Sequence, residues 1–211
     1  MLSLSTVSQA LSLPGFDGAE AQGKMKPLPR DMQRPLARPG QPREGAVLLL
    51  LYPCGAHTCV LLTRRRDDLQ AHAGQISFPG GRRERMETPT QAALREAHEE
   101  VGVEPARVQL IGELTPLYIP PSDFEVHPFV GWHEPPVAFT PQPSEVAELL
   151  EVPVQLLLDS RTRQEEVWHQ RGIELQVPFF SIGPHKVWGA TAMILSEFVE
   201  RLRAVRENGA R

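Results

Sequence analysis

Three glutamates at positions 96, 99 and 100 have the residue type and the spacing that could bind a metal ion. Separations of three and four residues place their carboxylates on one side of a helix, within reach of a common point. Oxygen ligands suit a hard cation such as Mg²⁺ or Mn²⁺, which keeps coordination positions for water and phosphate oxygens. A glutamate-rich helix is also often just a solvated face, and that is the preferred interpretation of Glu99 and Glu100 taken alone.

The neighbours of these glutamates favour the metal-site interpretation. Arg95 can brace one of the carboxylates from the side, and Glu87 comes from the loop that precedes the helix. The glycines Gly80 and Gly81 allow the backbone to approach a phosphate or to offer a carbonyl to the metal. The stretch therefore predicts a place where a divalent cation and a phosphate group meet.

A helix over residues 89–101 must position the carboxylates, and the sequence marks both of its ends. Thr88 is suited to the N-cap, Pro89 to the first helical position and Gln91 to the reciprocal bond of a capping box. Gly102 supplies the stop.

The rest of the chain predicts strands with a few helices. Runs rich in Val and Leu predict a β-hairpin over 46–52 and 58–63, and strands over 108–114, 125–132 and 173–180. Further helices are predicted over 144–151 and 190–203. Because strands and helices do not alternate strictly, the pattern favours an α/β fold with a mixed sheet flanked by helices.

The acidic stretch resembles the Nudix box, G-x(5)-E-x(7)-R-E-U-x-E-E-x-G-U, in which U is a bulky aliphatic residue. Eight of the nine specified positions match strictly, and Ala97 is apolar but small for its U position. The matching residues are Gly81, Glu87, Arg95, Glu96, Glu99, Glu100, Gly102 and Val103.

This resemblance implies the Nudix α/β/α sandwich and a metal-dependent pyrophosphatase. Such an enzyme uses water to break the phosphoanhydride of a nucleoside diphosphate that is joined to another group. Carried over by position, the resemblance implies that Glu99 and Glu100 are metal ligands. It implies that Glu96 is either a ligand or the group that takes the proton of the water.

Supporting roles also follow from the resemblance. Gly81 gives its carbonyl to the metal, and Arg95 and Glu87 orient the other groups. Several Nudix enzymes place a catalytic glutamate where this chain has Glu145, at the start of the helix predicted over 144–151. Glu145 and Glu148 are equally well explained as acids that complement a helix dipole.

The segment before the box, residues 61–81, resembles the motif LLT-x-RS-x(3)-R-x(3)-G-x(3)-FPGG of the coenzyme A pyrophosphatase branch. Agreement covers Leu61-Leu62-Thr63, Arg65, Gly74 and Phe78-Pro79-Gly80-Gly81, whereas Arg66 replaces Ser and Gln70 replaces Arg. Residues 188–192 look like the Trp-Gly-x-Thr-Ala of that branch. This resemblance implies coenzyme A as the substrate, cleaved to 3′,5′-ADP and 4′-phosphopantetheine.

Coenzyme A carries a 3′-phosphate besides its diphosphate, and a group of arginines could bind that charge. The candidate arginines are Arg64, Arg65, Arg66, Arg82 and Arg83. Some of them are equally explained as exposed strand and loop residues. His72 could contact the substrate or lie on a surface loop, and the proline-rich loop over 117–124 could receive the pantetheine arm or serve only for packing.

Composition excludes several other functions. The 22 Lys and Arg residues against 26 Asp and Glu give a formal charge of −4, which provides no global footprint for nucleic acid. The apolar stretch over 47–52 is too short for a membrane helix, so a cytoplasmic protein is expected. Cys54 and Cys59 form no CxxC pair, so neither a zinc site nor a disulfide is indicated.

The domain organisation is expected to be simple. Residues 1–43 are predicted as an N-terminal extension with a strap rich in proline and arginine, residues 44–206 as the Nudix domain and 207–211 as a tail. Monomer and homodimer both remain open. A competing interpretation is an ADP-ribose or nucleotide-sugar pyrophosphatase, and another is a Nudix domain that binds a nucleotide as a regulator without hydrolysing it.

Overall fold

The computed structural model describes residues 2–28, 41–69, 73–170 and 172–209. The helices are α1 (Leu4–Leu11), α2 (Gly18–Gly23), α3 (Pro89–Val101), α4 (Val154–Leu158) and α5 (Gly189–Gly209). The strands are β1 (Arg43–Cys54), β2 (His57–Arg65), β3 (Ile76–Ser77), β4 (Gly80–Arg82), β5 (Val108–Glu113), β6 (Leu117–Ile119), β7 (Phe124–His133), β8 (Val146–Pro153), β9 (Arg163–Gln170), β10 (Ile173–Ile182) and β11 (His185–Trp188).

The strands form one large mixed sheet and one small sheet. The large sheet has the order β3-β2-β1-β7-β5, with β4 paired to β1, β6 to β7 and β8 to β2. The β1–β7 pair is parallel, and the other pairs of this sheet are antiparallel. The small antiparallel sheet has the order β11-β10-β9. The predicted α/β fold with a mixed sheet flanked by helices is confirmed.

Helix α3 covers one face of the large sheet. Its capping box forms as the sequence predicts, because the Gln91 amide donates to the Thr88 hydroxyl and the Thr88 amide donates to the Gln91 side chain. Ala93 and Ala97 are fully buried in the cluster that includes Leu48 of β1. Since small side chains bring a helix close to a sheet, the alanine at a bulky position of the box fits this packing.

The opposite face of the sheet packs against the N-terminal and C-terminal helices. Alternation along β1 directs Leu49 and Leu51 to this second cluster, where they meet Phe198 of α5 and Val7 of α1. Helix α2 also contacts α5. The sheet is therefore covered on both faces, as the sandwich architecture requires.

The helix predicted over 144–151 is wrong. These residues lead into strand β8, which pairs antiparallel with β2, so that Leu150 lies opposite Leu62. Val146, Leu150 and Val152 are buried, and this alternation is the pattern of a strand with one face in the core. The sequence concealed it because Val146, Leu149 and Leu150 also have helical spacing.

The expectation that no disulfide forms is also wrong. Cys54 and Cys59 are bonded to each other at the turn end of the β1–β2 hairpin, with their Cα atoms 5.9 Å apart. Gly55 has a φ of +58° in the tight turn that brings the two cysteines together. Their spacing of five residues matches no recognised cysteine motif, so the disulfide can be identified only from the geometry of the hairpin.

The predicted domain boundaries remain predictions. Residues 29–40 of the proline- and arginine-rich segment lie outside the described residues. Before them, Val7 and Ala10 of α1 are completely buried against the core of the large sheet. Within the described part of the chain, no helix is both long enough and apolar enough to cross a membrane.

Candidate active site

Gly80 and the first glycine of the box, Gly81, pack tightly between strand β1 and helix α3. Gly80 has a φ of +155°, and a Cβ added there would lie 2.6 Å from the Cα of Val47. A Cβ added to Gly81 would lie 2.5 Å from the Cδ of Glu96. Glycine is therefore required at Gly80, where a Cβ would meet backbone, and at Gly81 its small size makes room for the Glu96 carboxylate.

Arg95 connects the acids of the box. Its Nε and Nη2 donate to Glu87 at 2.6 and 3.1 Å. Its Nη1 donates to Glu96 at 2.9 Å and to Glu99 at 3.0 Å, and Nη2 also reaches the Arg82 carbonyl at 3.2 Å. One guanidinium thus fixes the loop acid, two helix acids and the end of β4 relative to each other.

Glu100 is a buried carboxylate with little compensation. Only 5% of the residue is exposed, and its Oε2 accepts a bond from the Gly80 amide at 3.2 Å. Burial raises the pKa of Glu100 to about 7, and the negative charges of Glu96 and Glu145 act in the same direction. The Gly80 amide and Arg65 oppose that rise in pKa. The ionised form of Glu100 is therefore held at a cost that an additional positive charge would offset.

Glu96 and Glu145 complete the acidic group. Burial raises the pKa of Glu96 against the lowering effect of Arg95, and the charges of Glu99 and Glu145 raise it further. The Glu145 carboxylate lies 3.9 Å from Arg65 Nη1, which is itself 3.7 Å from Glu100. Residues from α3, from the end of β2 and from the segment before β8 thus meet in one place.

Comparison with known proteins identifies the family of the chain. A family model described as the NUDIX domain matches residues 42–172. This chain belongs to the Nudix hydrolase family. It is 36% identical over 162 residues to the Nudix hydrolase NudL of Photorhabdus laumondii. The aligned residues make up 76% of this chain and 86% of that protein. Identity to NudL of Pectobacterium atrosepticum is 37% over 165 residues, or 77% and 85% of the two chains.

The crystal structure of RenU, a Nudix hydrolase from M. smegmatis, has the same fold. It superposes with a TM-score of 0.50 at 22% identity and covers 81% of this chain and 88% of RenU. Family membership establishes the reaction class for this Nudix hydrolase, which is hydrolysis of a nucleoside diphosphate derivative. The names of the relatives do not specify coenzyme A.

The donor atoms of this Nudix site are carboxylate oxygens, which are the type of ligand that a hard divalent cation prefers. The negative charges around these carboxylates contribute to the raised pKa values of Glu96 and Glu100. Arg65 and Arg95 supply the neighbouring positive charge. As the side chains lie, no three His, Cys, Asp or Glu residues in the described parts of the chain are close enough together to coordinate one ion. Glu99 instead bonds to Arg95, so a cation would have to exchange that contact for its own.

The arginines of the flanking segment are paired with acids. Arg64 donates to Asp67 at 2.7 and 3.2 Å and lies 3.5 Å from Glu148. Arg66 donates to Asp68 at 2.8 and 2.6 Å. Contact of these arginines with a substrate remains a prediction, and it would require them to exchange an acid for a phosphate.

The remaining candidates are placed differently. His72 lies outside the described residues. Arg82 is exposed at the end of β4, whereas Arg83 forms an ion pair with Glu44 of β1. His185 of β11 was not singled out in the sequence, yet its Nε2 lies 3.3 Å from Glu148. No local pattern marks His185, because a turn between two strands of the small sheet brings it there.

Proposed function

We propose that this Nudix hydrolase cleaves the phosphoanhydride of coenzyme A to 3′,5′-ADP and 4′-phosphopantetheine, using Mg²⁺ or Mn²⁺. The supporting observation is the position of Arg65, which lies 3.7 Å from Glu100 and 3.9 Å from Glu145. Arg65 is a position at which the flank agrees with the coenzyme A pyrophosphatase motif, and Glu100 belongs to the box. The residues that favour this substrate and those that favour metal-dependent hydrolysis therefore share one site.

The proposed metal ligands are Glu96, Glu99 and Glu100, together with the carbonyl of Gly81. When bound, the cation would neutralise charge on the departing phosphate and lower the pKa of a water. Glu100 is buried, which limits its access to bulk water. The hydrogen bond from the Gly80 amide holds its carboxylate in place.

Proton removal falls to one of the carboxylates of the acidic group. Water adds to one phosphorus, the bond from that phosphorus to the bridging oxygen breaks, and the proton of the water passes to a carboxylate. Glu96 and Glu145 are the candidates for this base. Arg95 and Glu87 are positioning residues, since Arg95 bonds to both Glu87 and Glu96.

Phosphate binding is assigned to the arginines and the glycine-rich turn. Arg65 already faces the acids and would attract the diphosphate, while Arg64 and Arg66 lie on the segments next to it. The Gly80 amide lies at the same place, where it donates to Glu100. His72 and Arg82 complete the proposed substrate contacts.

The test is a parallel assay of purified protein with coenzyme A, ADP-ribose, NADH and dinucleoside polyphosphates, with the products identified by mass. We expect coenzyme A to be cleaved fastest, with Mg²⁺ or Mn²⁺ required and activity lost in excess EDTA. A matched Glu100→Gln variant, which loses a ligand, controls for contaminating hydrolases. Preference for ADP-ribose would overturn the coenzyme A assignment, and full turnover in EDTA would overturn the metal-dependent mechanism.

A further inference from the structure

We propose that a cleft between residues 41–44 and residues 82–85 binds a phosphate monoester of the substrate, separate from the anhydride that is cleaved. We call it the arginine cleft. Its lining residues are Gln41, Pro42, Arg43, Glu44, Arg82, Arg83, Glu84 and Arg85. The proposal deepens the proposed function and rests on it, because it assumes a nucleotide substrate with a second phosphate group.

The sheet topology creates the cleft beside the box. Strand β4 pairs with the start of β1, so that Arg82 lies opposite Gly45, and the Arg83 amide then donates to the Glu44 carbonyl at 3.0 Å. After Arg83 the chain leaves the sheet in the loop that leads to Glu87. The space between this loop and the start of β1 has a volume of about 390 Å³, which is at the lower end of the range for small-molecule sites.

Two of the four arginines in the cleft are committed to the fold. Arg83 forms an ion pair with Glu44 and donates to the Glu87 carbonyl at 2.7 Å. Arg43 lies over the ring of Phe124, 4.2 Å from its centroid, and donates to the Ser122 carbonyl. These contacts fix the walls of the cleft.

The other two arginines are available to a ligand. Arg82 and Arg85 are exposed, and neither side chain forms an ion pair or a hydrogen bond with any residue in the described ranges. Arg64 and Arg66 of the flank differ, since Asp67 and Asp68 bind them in fork-like contacts. Two unpaired guanidinium groups beside a fixed wall favour a doubly charged anion, and phosphate accepts their donors bidentately.

The arginine cleft and the catalytic acids share one hydrogen-bonded frame. The Arg82 carbonyl accepts from Arg95, and the Glu84 amide donates to Glu87 at 3.0 Å. Glu87 in turn holds Arg95, which holds Glu96. A phosphate in the cleft is therefore positioned relative to the reacting anhydride by a short chain of contacts, and the 3′-phosphate of coenzyme A has the required chemistry.

Equilibrium binding to the full chain in EDTA tests the proposal without turnover. The ligands are 3′,5′-ADP, 5′-AMP and inorganic phosphate, measured by titration calorimetry. We expect 3′,5′-ADP to bind about ten- to a hundredfold more tightly than 5′-AMP, as one charge-assisted contact implies. Arg82→Ala and Arg85→Ala should each reduce this ratio, and their Lys variants should keep part of it because the charge remains.

Arg206→Ala is the matched control. It removes the same charge from the exposed end of α5 and should leave the ratio unchanged. The proposal would be overturned by a ratio near one in the wild type. It would also be overturned if Arg82→Ala and Arg85→Ala both kept the wild-type ratio. Binding of inorganic phosphate with no advantage for 3′,5′-ADP would overturn it as well, because the cleft would then be an unselective anion site.

The failure of the proposed function would look different. If the arginine-dependent ratio is found but coenzyme A is not hydrolysed, the arginine cleft stands and the coenzyme A assignment falls. If coenzyme A is hydrolysed but the ratio does not depend on Arg82 or Arg85, the proposed function stands and the cleft falls.

Discussion

Replacing Glu197 by Ala should destabilise the protein strongly, because this carboxylate is completely buried and has several donors. Gln22 Nε2 donates to it at 2.8 Å, and the Thr115 amide and hydroxyl donate at 3.1 and 3.0 Å. Arg201, with 10% of its side chain exposed, forms the ion pair at 2.9 Å. These contacts join α5 to α2 and to the segment between β5 and β6.

The expected magnitude follows from what the change leaves behind. Without Glu197, the buried Arg201 guanidinium keeps its position over the Phe16 ring and long bonds to the carbonyls of Ala10 and Leu11, at 3.4 and 3.3 Å, but no carboxylate partner among the described residues. Removing one partner of a buried ion pair costs about 3–5 kcal/mol. The free energy of unfolding of a domain is commonly about 5–15 kcal/mol, so the variant should fold but with a much lower midpoint.

Urea unfolding followed by circular dichroism measures the effect. Glu207→Ala, which removes an exposed glutamate from the same helix, should change the free energy of unfolding by less than about 0.5 kcal/mol. The double variant Glu197→Ala/Arg201→Leu should lose less than the sum of the single variants, because no buried charge remains unpaired. A loss below about 1 kcal/mol for Glu197→Ala, or strict additivity, would refute this reasoning.

Three further predictions concern the catalytic site. Glu96→Gln and Glu100→Gln should each lower kcat by several orders of magnitude, and a normal kcat in either variant would remove that residue from the mechanism. In EDTA at pH 8, Glu100→Gln should also have an unfolding midpoint at or above that of the wild type, because the amide places no charge in the buried site. Gly81→Ala should remain folded yet lose most of its activity, since the added methyl group displaces the Glu96 carboxylate; near-normal kcat would show that this placement is unimportant. Arg95→Lys should lower kcat about ten- to a hundredfold with little change in KM, because an ammonium group cannot form the planar set of hydrogen bonds that Arg95 makes to Glu87 and Glu96. A change confined to KM would indicate that Arg95 binds the substrate instead.

Local sequence signals predicted the elements whose cause is local. Thr88, Gln91 and Gly102 fix the ends of α3, so the helix has the bounds that its capping residues predict. The hairpin of β1 and β2 follows in the same way from two apolar runs around a turn. The strand β8 could not be predicted, because its apolar residues fit both periods and its pairing with β2, a segment distant in sequence, decides between them.

Residue type and short spacing were enough to identify the family, the helix that carries Glu96, Glu99 and Glu100, and the chemistry that those residues favour. Which charges meet could be read only from the fold. The fold pairs Arg64 and Arg66 with acids, brings Arg65 to Glu100 and leaves Arg82 and Arg85 beside β1 without an acid partner among the described residues. The physical reason is that electrostatic partners are set by distance in space, and strand pairing creates distances that the order of residues does not contain.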